Sequence, residues 1–450
     1  MENATSIEQE IIRRRDIRDM FTFTIDPADA KDFDDALSFV EQEDGTFLIG
    51  VHIADVSHYV LPGDENDKRA YEKGTSTYYV DHVDPMLPEE LCNDLCSLRP
   101  NEDKLCMSVI FTMDKDAHII KYKVCRTVIR SDHRLSYEQA EEIIQGERND
   151  KGCLASALHQ LNDLAHKLRA ERMKNGALDI EQEEVRFVLD ENKHPVDIYF
   201  HKPTDANHLI EEFMLLANRT IATEMGRRGH EFVYRIHDKP DSDKLTSVSK
   251  FQKKMGDKVP SSVIEMLTIR AMAKAVYSTK NIGHFGLAFD YYTHFTSPIR
   301  RYPDLMVHRL VARYILGERI KPSNSEAFKP SNLEEQCEHC SDMEQAAQQA
   351  ERDSVKTMQA IWMHDHLGEE FDGTINSVTD FGIFVQLDGN RCEGLVHINT
   401  LVPNDYMLYD EKNYRLIAQV SGKTFTIGDR LRVKVIRADI EKHQIDFALV

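Results

Sequence analysis

The sequence has few of the features that mark secreted or membrane-spanning proteins. Its 450 residues include eight cysteines and one tryptophan. The cysteines are scattered, so a disulfide-stabilised scaffold is excluded and a reducing, cytoplasmic location is expected. No segment approaches the roughly 18 consecutive apolar residues that a transmembrane helix needs, and the N-terminal segment lacks the apolar core of a secretory signal. The composition therefore predicts a soluble globular protein with no membrane partner.

Basic residues are outnumbered by acidic ones. Lysine and arginine total 56 against 77 aspartates and glutamates, a net charge of −21. Nucleic-acid-binding domains usually carry a basic surface, so the average composition argues against such a partner. Net charge controls solubility and long-range steering, however, and does not describe a local groove. The motifs have to decide the question.

The hydrophobic pattern changes character near residue 368. Before it, β-branched and aromatic runs predict strands within 21–60 and over 105–113 and 119–130, the last two as a hairpin. Apolar periodicity predicts helices over 136–145, 154–175, 207–228, 261–278, 303–316 and 333–366. After it, short strands with glycine turns predict a five-stranded OB-type barrel.

These patterns predict an α+β protein. The expected organisation is a lead-in over 1–20, a mixed α/β domain over 21–366 that includes the long helix 333–366, and the barrel over 368–450.

In the segment IDPADAKDFDDALSF, the candidate residues Asp26, Asp32, Asp34 and Asp35 lie within ten positions. They lie among apolar residues, which indicates partial burial, and like charges crowded together are costly unless cations neutralise them. Carboxylate oxygens are the ligands that magnesium and manganese prefer. Two such ions about 3.5–4 Å apart would hold both reacting oxygens of a phosphodiester. The alternative is an acidic, solvated turn without a metal.

A second motif, YTHFTSPIRRYPDL, combines two arginines with a predicted helix start. Ser297 and Pro298 interrupt the chain, and Pro303 suits the first turn of a helix. Arg300 and Arg301 precede that turn, and guanidinium groups bind phosphate through two hydrogen bonds. Two adjacent arginines are more often surface ion-pair partners. Together with the aspartates, however, they indicate phosphoryl transfer, with one arginine stabilising the transition state.

The predicted barrel carries aromatic and basic residues that suit single-stranded nucleic acid. Exposed aromatic rings and cations on an OB sheet form a surface on which unpaired bases stack. The alternative is that some of the phenylalanines form the barrel core. The residues concerned are Phe381, Phe384 and His397, with Arg430, Arg432 and Lys434 beside them.

Several long motifs in a fixed order resemble the ribonuclease R and ribonuclease II family of RNB-domain exoribonucleases. The resemblance covers nearly the whole chain, and it is closer to ribonuclease R because of AKDFDDALSF and SPIRRYPDL. The other motifs are VHIADVSHYV, PMLPEELCNDLCSL, IEEFMLLAN, YRIHDKP and GHFGLA, followed by a barrel of the ribosomal-protein-S-one type.

The resemblance implies processive, hydrolytic 3′→5′ degradation of single-stranded or 3′-tailed RNA to nucleoside 5′-monophosphates. It implies Mg²⁺ as the cofactor, with Mn²⁺ as a substitute. The four aspartates match the active-site aspartates of the family, and Asp34 matches the one whose loss abolishes cleavage. Arg300 matches the catalytic arginine.

The resemblance also implies contacts to the RNA. Tyr78 matches the tyrosine that stacks on the 3′-terminal base. Tyr137, with either Glu211 or Glu212, matches residues near the sugar that favour RNA. Further RNA contacts are expected from Arg301 and from the barrel residues Phe381, Phe384 and His397.

Three departures from the family pattern stand out. Bacterial members usually begin with two cold-shock domains, and ribonuclease R usually ends in a lysine-rich tail. The sequence shows neither, so a fragment and a minimal member are both open. Ile180 stands in GALDIE, where the second base-stacking phenylalanine of the family is expected.

A different class of function is a non-catalytic, RNA-binding regulator on the same scaffold. The four aspartates favour the enzyme. The expected partners are RNA and the ribosome or RNA-decay machinery, and a monomer is expected.

Overall fold

The computed structural model describes residues 4–148, 152–178, 183–255, 261–318 and 332–450. Strands of the N-terminal part are β1 (Arg15–Asp16), β2 (Thr22–Asp26), β3 (Asp35–Glu41), β4 (Phe47–Ala54), β5 (Thr77–Tyr78), β6 (Val83–Asp84), β7 (Asp103–Met113), β8 (Ile119–Arg130), β9 (His133–Ser136), β10 (Glu184–Leu189), β11 (Pro195–His201), β12 (Tyr234–Ile236) and β13 (Val276–Ser278). Those of the C-terminal part are β14 (Glu370–Val378), β15 (Gly382–Leu387), β16 (Glu393–His397), β17 (Met407–Asp410), β18 (Arg415–Ala418), β19 (Thr424–Thr426), β20 (Arg430–Asp439) and β21 (Gln444–Leu449).

Helices surround these strands. They are α1 (Ala4–Arg13), α2 (Val56–Tyr59), α3 (Glu65–Lys73), α4 (Tyr137–Ile144), α5 (Cys153–Lys174), α6 (Asp205–Arg228), α7 (Ser242–Met255), α8 (Ser261–Arg270), α9 (Tyr302–Tyr314), α10 (Leu333–Asp365) and α11 (Ile398–Leu401). A π-helix spans Glu90–Leu95. Within the described ranges, no helix is both long enough and apolar enough to cross a bilayer.

A seven-stranded sheet in the order β1-β8-β7-β4-β3-β2-β9 forms the centre of the N-terminal part. The outer pairs β1–β8 and β2–β9 are parallel, and the inner pairs are antiparallel. Strand β7 is buried along almost its whole length, as expected for a strand covered on both faces. Helices α4, α5 and α6 contact β2, β3 and β4, so the sheet and these helices share one core.

The C-terminal part is a closed barrel in the order β14-β15-β16-β21-β20. This confirms the predicted five-stranded OB-type barrel and the α+β class. Strands β17, β18 and β19 form a separate small sheet inserted between β16 and β20. Ala360 and Met363 of α10 belong to the same core as the barrel, so the long helix connects the two parts.

Most predicted elements are present, and one is wrong in part. The hairpin β7–β8 and the long helix α10 lie where the sequence pattern placed them. The helix predicted over 261–278 ends at Arg270, and Val276–Ser278 form strand β13 instead. Strand β13 pairs with β12, so the valine and tyrosine at its start follow their strand preference once a partner is available.

Candidate active site

The four aspartates lie where two neighbouring strands separate. Strands β2 and β3 pair only at Thr22–Ser38 and Phe23–Leu37. Beyond these pairs β2 follows β9, while β3 follows β4. The chain between them, Pro27 to Asp34, is called the acidic loop here. It therefore closes the gap between two diverging strands and holds Asp26 and Asp35 at their ends.

Two side chains from other elements hold the acidic loop. Ser97 Oγ donates to the carbonyl of Lys31 at 2.7 Å and accepts from Phe33 N–H at 3.1 Å. Arg134 Nη2 donates to the carbonyls of Pro27 at 2.7 Å and Ala28 at 2.8 Å. Our sequence analysis missed both residues.

Asp34 is the most constrained of the four aspartates. It is 4% exposed, and its carbonyl accepts from the N–H of Ala54 at 2.8 Å. Its Oδ1 accepts from the N–H of Ile299 at 2.8 Å. Its Oδ2 has no hydrogen-bond partner and lies 3.6 Å from Arg300 Nε. The carboxylate is thus fixed through one oxygen while the other remains available.

Burial raises the pKa of every aspartate in the cluster. The pKa of Asp34 and of Asp26 lies well above the usual range because of burial, and the negative charge of Asp35 adds to the effect at Asp26. Burial raises the pKa of Asp35 to about 6 and also raises that of Asp32. Arg300 opposes these shifts at Asp32, Asp34 and Asp35, so its positive charge faces the cluster.

The cluster has carboxylate oxygens that can act as ligands for a hard cation. Asp26 Oδ2 and Asp34 Oδ2 are both buried and without a hydrogen-bond partner. Within the described residues, no three carboxylate, imidazole or thiolate side chains converge into a complete ligand set. Mg²⁺ does not require one, because it keeps several waters and is typically bound by one or two carboxylates plus substrate phosphates. The residues present therefore fit a magnesium site completed by a phosphate.

The two adjacent arginines occupy different environments. Residues 297–301 form a turn in which the N–H of Arg300 and of Arg301 both donate to the Ser297 carbonyl. The side chain of Arg300 is 42% exposed and donates to Ser297 Oγ at 3.0 Å. Arg301 instead donates to the buried Asp304 at 2.8 Å, which also accepts from Ser297 N–H at 2.7 Å. The structure brings Arg300 to the aspartates and directs Arg301 into the protein.

Two tyrosines lie close to the same cluster. Tyr78 ends β5, is 39% exposed, and donates its N–H to Glu351 of α10 at 2.9 Å. Burial of much of its ring raises its pKa, and Asp32 and Asp34 are among the charges that act on it. Tyr137 opens α4 next to Ser136, which pairs with Asp26 in the sheet. Burial also raises the pKa of Tyr137, with Asp35 and Asp26 adding to it.

The two adjacent glutamates of α6 also differ. Glu212 is 3% exposed and ion-paired at 2.5 Å with Arg172, which is buried as well. Glu211 is exposed and lies 3.4 Å from Arg172. Glu211 is thus the more exposed of the two, and the sugar contact of either glutamate stays a prediction. Ile180, at the expected second stacking position, lies outside the described residues.

The barrel presents two of its aromatic residues outward. Phe381 is 46% exposed, and its ring is perpendicular to that of the half-buried Phe384 at 5.9 Å. A side chain at Gly382 would place its Cβ 2.4 Å from the Val396 carbonyl, so glycine is required where β15 lies against β16. His397 is exposed and caps α11.

A cavity of about 300 Å³ lies between these rings and helix α10. Lys356 and Gln359 of α10 line it together with Phe381, Phe384 and His443. Our sequence analysis missed the α10 side chains, because a helix from the first domain gives no sequence signal of contact with the barrel. Arg430 and Arg432, which were expected to supply positive charge, pair with acidic residues of the barrel.

Comparison with known proteins follows the same division of the chain. Residues 14–317 match the RNB domain family, and residues 365–449 match the S1 RNA binding domain family. Ribonuclease R of Thermotoga maritima is 42% identical over 98% of this chain and 66% of its own length. Ribonuclease R 1 of Lactococcus lactis is 41% identical over 98% of this chain and 56% of its own length.

A solved structure agrees with these relatives. Mycoplasma genitalium RNase R in complex with ribose methylated single-stranded RNA superposes with a TM-score of 0.89 at 29% identity. The superposition covers 98% of this chain and 73% of that one. Of the two curated relatives named above, the chain spans 56–66% of the length. On the RNB match over most of its length, the chain belongs to the ribonuclease R and ribonuclease II family of RNB-domain proteins.

Proposed function

We propose that the chain is a hydrolytic 3′→5′ exoribonuclease that degrades single-stranded or 3′-tailed RNA processively to nucleoside 5′-monophosphates with Mg²⁺. The observation that carries the proposal is the aspartate cluster with Arg300 beside it. Two buried carboxylate oxygens in that cluster have no hydrogen-bond partner among the described residues. A guanidinium 3.6 Å from one of them can bind the phosphate that a cation there would share.

The aspartates have distinct roles in this proposal. Asp26 and Asp34 supply the free oxygens, and Asp32 and Asp35 complete the negative charge around them. Magnesium, or manganese in its place, would polarise the phosphate and lower the pKa of an attacking water. Arg300 stabilises the charge that develops on the phosphate oxygens, because its head is exposed toward the cluster and anchored by Ser297.

The tyrosines support recognition of the RNA end. The exposed part of the Tyr78 ring can stack on the terminal base, and its backbone is tied to α10 through Glu351. The Tyr137 hydroxyl lies near Asp26 and Asp35 and can contact the adjoining sugar. Glu211 is the glutamate that we assign to the sugar. Arg301 stays a predicted RNA contact, although its pairing with Asp304 supports a role in holding the turn that carries Arg300.

The barrel supplies affinity for RNA upstream of the cut. Phe381 and Phe384 can stack on bases, and His397 is exposed on the next strand. Lys356 adds a positive charge at the rim of the cavity. These contacts are local, so the net charge of −21 does not exclude RNA binding.

Relatives support the same function. The curated relatives named above are ribonuclease R proteins, and the Mycoplasma genitalium structure holds single-stranded RNA. The predicted monomer, the cytoplasmic location and the ribosome or RNA-decay partners remain expectations for this chain.

The test is cleavage of one RNA in two topologies. A linear RNA with an unpaired 3′ tail should be shortened from its 3′ end in the presence of Mg²⁺, with nucleoside 5′-monophosphates as products. A circular RNA of the same sequence should remain intact, since it offers no 3′ end. Cleavage of the circle would indicate an endonuclease. Binding of the linear RNA without any cleavage would support the non-catalytic regulator instead.

A further inference from the structure

Arg134 contacts the acidic loop at three separate points. It lies on β9 opposite Thr24 of β2. Its Nη2 donates to the Pro27 and Ala28 carbonyls at 2.7 and 2.8 Å. Its guanidinium also lies over the ring of Phe33, 5.5 Å from the ring centroid. One side chain thus holds the beginning of the loop and packs against its far end.

The charge of Arg134 is not used to neutralise a carboxylate directly. Its Nη2 donates to backbone carbonyls, and its buried Nε has no hydrogen-bond partner in the described part of the chain. Its charge acts on Asp26, whose pKa it lowers against the larger effect of burial. The hydrogen bonds of Arg134 therefore go to backbone carbonyls, which set the path of the loop.

We propose that Arg134 is a positioning residue that fixes the acidic loop in its cation-binding geometry before any cation binds. The inference rests on the proposed metal-dependent hydrolysis. Without the two carbonyl contacts, Pro27 and Ala28 would lose the side-chain hydrogen bonds that the structure shows there, whereas Ser97 and Ile299 would still hold the later part of the loop. The segment that joins Asp26 to Asp32 could then take more than one path, while Asp26 stays fixed in the sheet and Asp34 stays bonded to Ile299.

The direction in which Mg²⁺ affinity changes when Arg134 is replaced distinguishes a positioning role from a purely electrostatic one. If Arg134 acted only as a nearby positive charge, its removal would strengthen binding of Mg²⁺, because less repulsion would remain. If it positions the loop, its removal should weaken binding. Replacing residues that orient metal ligands typically costs about 10–100-fold in metal affinity. The two accounts therefore predict opposite changes.

The experiment compares Arg134→Met, Arg134→Lys and Arg130→Met in the full chain. Arg130 is an exposed arginine on β8 that pairs with Asp103, so its substitution removes the same charge away from the loop. The Mg²⁺ dependence of the unfolding temperature, without RNA, reports cation binding. The Mg²⁺ dependence of cleavage reports the same affinity with substrate present.

We expect Arg134→Met to raise the half-saturating Mg²⁺ concentration about 10–100-fold in both measurements. The cleavage rate at saturating Mg²⁺ should fall much less. Arg134→Lys keeps the charge and an N–H donor but loses the planar guanidinium. It should therefore raise the half-saturating Mg²⁺ concentration less than Arg134→Met does. Arg130→Met should match the wild-type protein. Tighter or unchanged Mg²⁺ binding by Arg134→Met, or a loss of rate without a change in Mg²⁺ dependence, would overturn the proposal.

A further variant, Ser97→Ala, tests the proposal even if Arg134→Met does not fold. Ser97→Ala removes the other side-chain tie to the loop without changing any charge, so it should also weaken Mg²⁺ binding. If Arg134→Met does not fold, normal Mg²⁺ binding by Ser97→Ala would count against loop positioning. The absence of any Mg²⁺ effect on wild-type unfolding would also overturn the proposal. Wild-type protein that binds Mg²⁺ but cleaves no RNA would instead contradict the proposed function and leave the positioning role standing.

Discussion

Replacing Asp34 by asparagine keeps the shape of the side chain and removes one negative charge from the centre of the site. The amide oxygen can still accept the 2.8 Å hydrogen bond from Ile299 N–H. The free Oδ2 becomes an NH₂ group, which cannot bind a cation and faces Arg300, another donor. We therefore expect cleavage to fall by at least about 10³-fold, as when a preorganised charged group is lost.

The same substitution should stabilise the protein in the absence of Mg²⁺. The ion pair it removes involves a partly exposed Arg300 at 3.6 Å and contributes at most about 1 kcal/mol. The buried charge it removes costs several kcal/mol even after relaxation, on the order given for ions in protein interiors. The net effect is a higher unfolding temperature for Asp34→Asn.

The stability that Asp34→Asn gains over the wild-type protein should depend on pH in a defined direction. Burial raises the pKa of Asp34 above its unfolded value, so folding favours the protonated form. The stability from this group is fully present below the unfolded pKa and is lost as the pH rises through the folded pKa. Wild-type protein and Asp34→Asn should thus unfold at similar temperatures in acid and diverge toward neutral pH, with the variant more stable.

The assay is thermal unfolding of both proteins from acidic to neutral pH, with and without Mg²⁺, alongside cleavage and RNA binding. Mg²⁺ should raise the unfolding temperature of the wild-type protein and have little effect on the variant. RNA affinity should stay the same or increase, because repulsion of phosphate falls. Cleavage near the wild-type rate, or a variant less stable than wild type at neutral pH without Mg²⁺, would refute the reasoning.

Four further substitutions test other parts of the site. Arg300→Lys keeps the charge and loses the planar fork, so single-turnover cleavage should fall by roughly 10²–10³-fold; Arg301→Lys should mainly lower the unfolding temperature, since Arg301 pairs with buried Asp304. Tyr78→Ala should leave longer end products on a denaturing gel, with little change in the rate on long RNA, because a base–aromatic stack contributes about 1–3 kcal/mol. Phe381→Ala should weaken binding of single-stranded RNA by a similar amount in fluorescence anisotropy, while cleavage at saturating RNA is retained.

Much of the architecture follows from local sequence pattern. Strand β7 and helix α10 have continuous or periodic apolar positions, and their bounds lie within two residues of the predicted ones. The segment 261–278 could not be assigned in this way. Its last residues, Val276–Ser278, form a strand only because Tyr234–Ile236 lies beside them, about 40 residues earlier in the chain. Pairing between distant segments is not contained in local periodicity.

The adjacent arginines show a similar limit within the site. Arg300 and Arg301 have the same chemistry and consecutive positions, so the residues alone did not distinguish them, and only the family resemblance assigned Arg300 to catalysis and Arg301 to an RNA contact. Their environments differ because residues 297–301 form a turn ahead of α9, and Asp304 in the first turn of that helix faces Arg301. The pair Glu211 and Glu212 is separated by burial in the same way, since one face of α6 packs against Arg172. Packing therefore decides which of two adjacent like residues is exposed.

Arg134 illustrates a kind of site residue that sequence reasoning finds least easily. A cluster of carboxylates indicates a cation site by its own chemistry, and an arginine beside a helix start indicates a phosphate. Arg134 donates instead to the carbonyls of Pro27 and Ala28, and every residue has a carbonyl. No pattern of side chains can therefore identify its partners. The aspartates can bind a cation only if the loop between β2 and β3 has one path, and that path depends on contacts to backbone atoms. The residues that supply the chemistry are thus visible in the sequence, whereas those that fix their geometry become visible only in the fold.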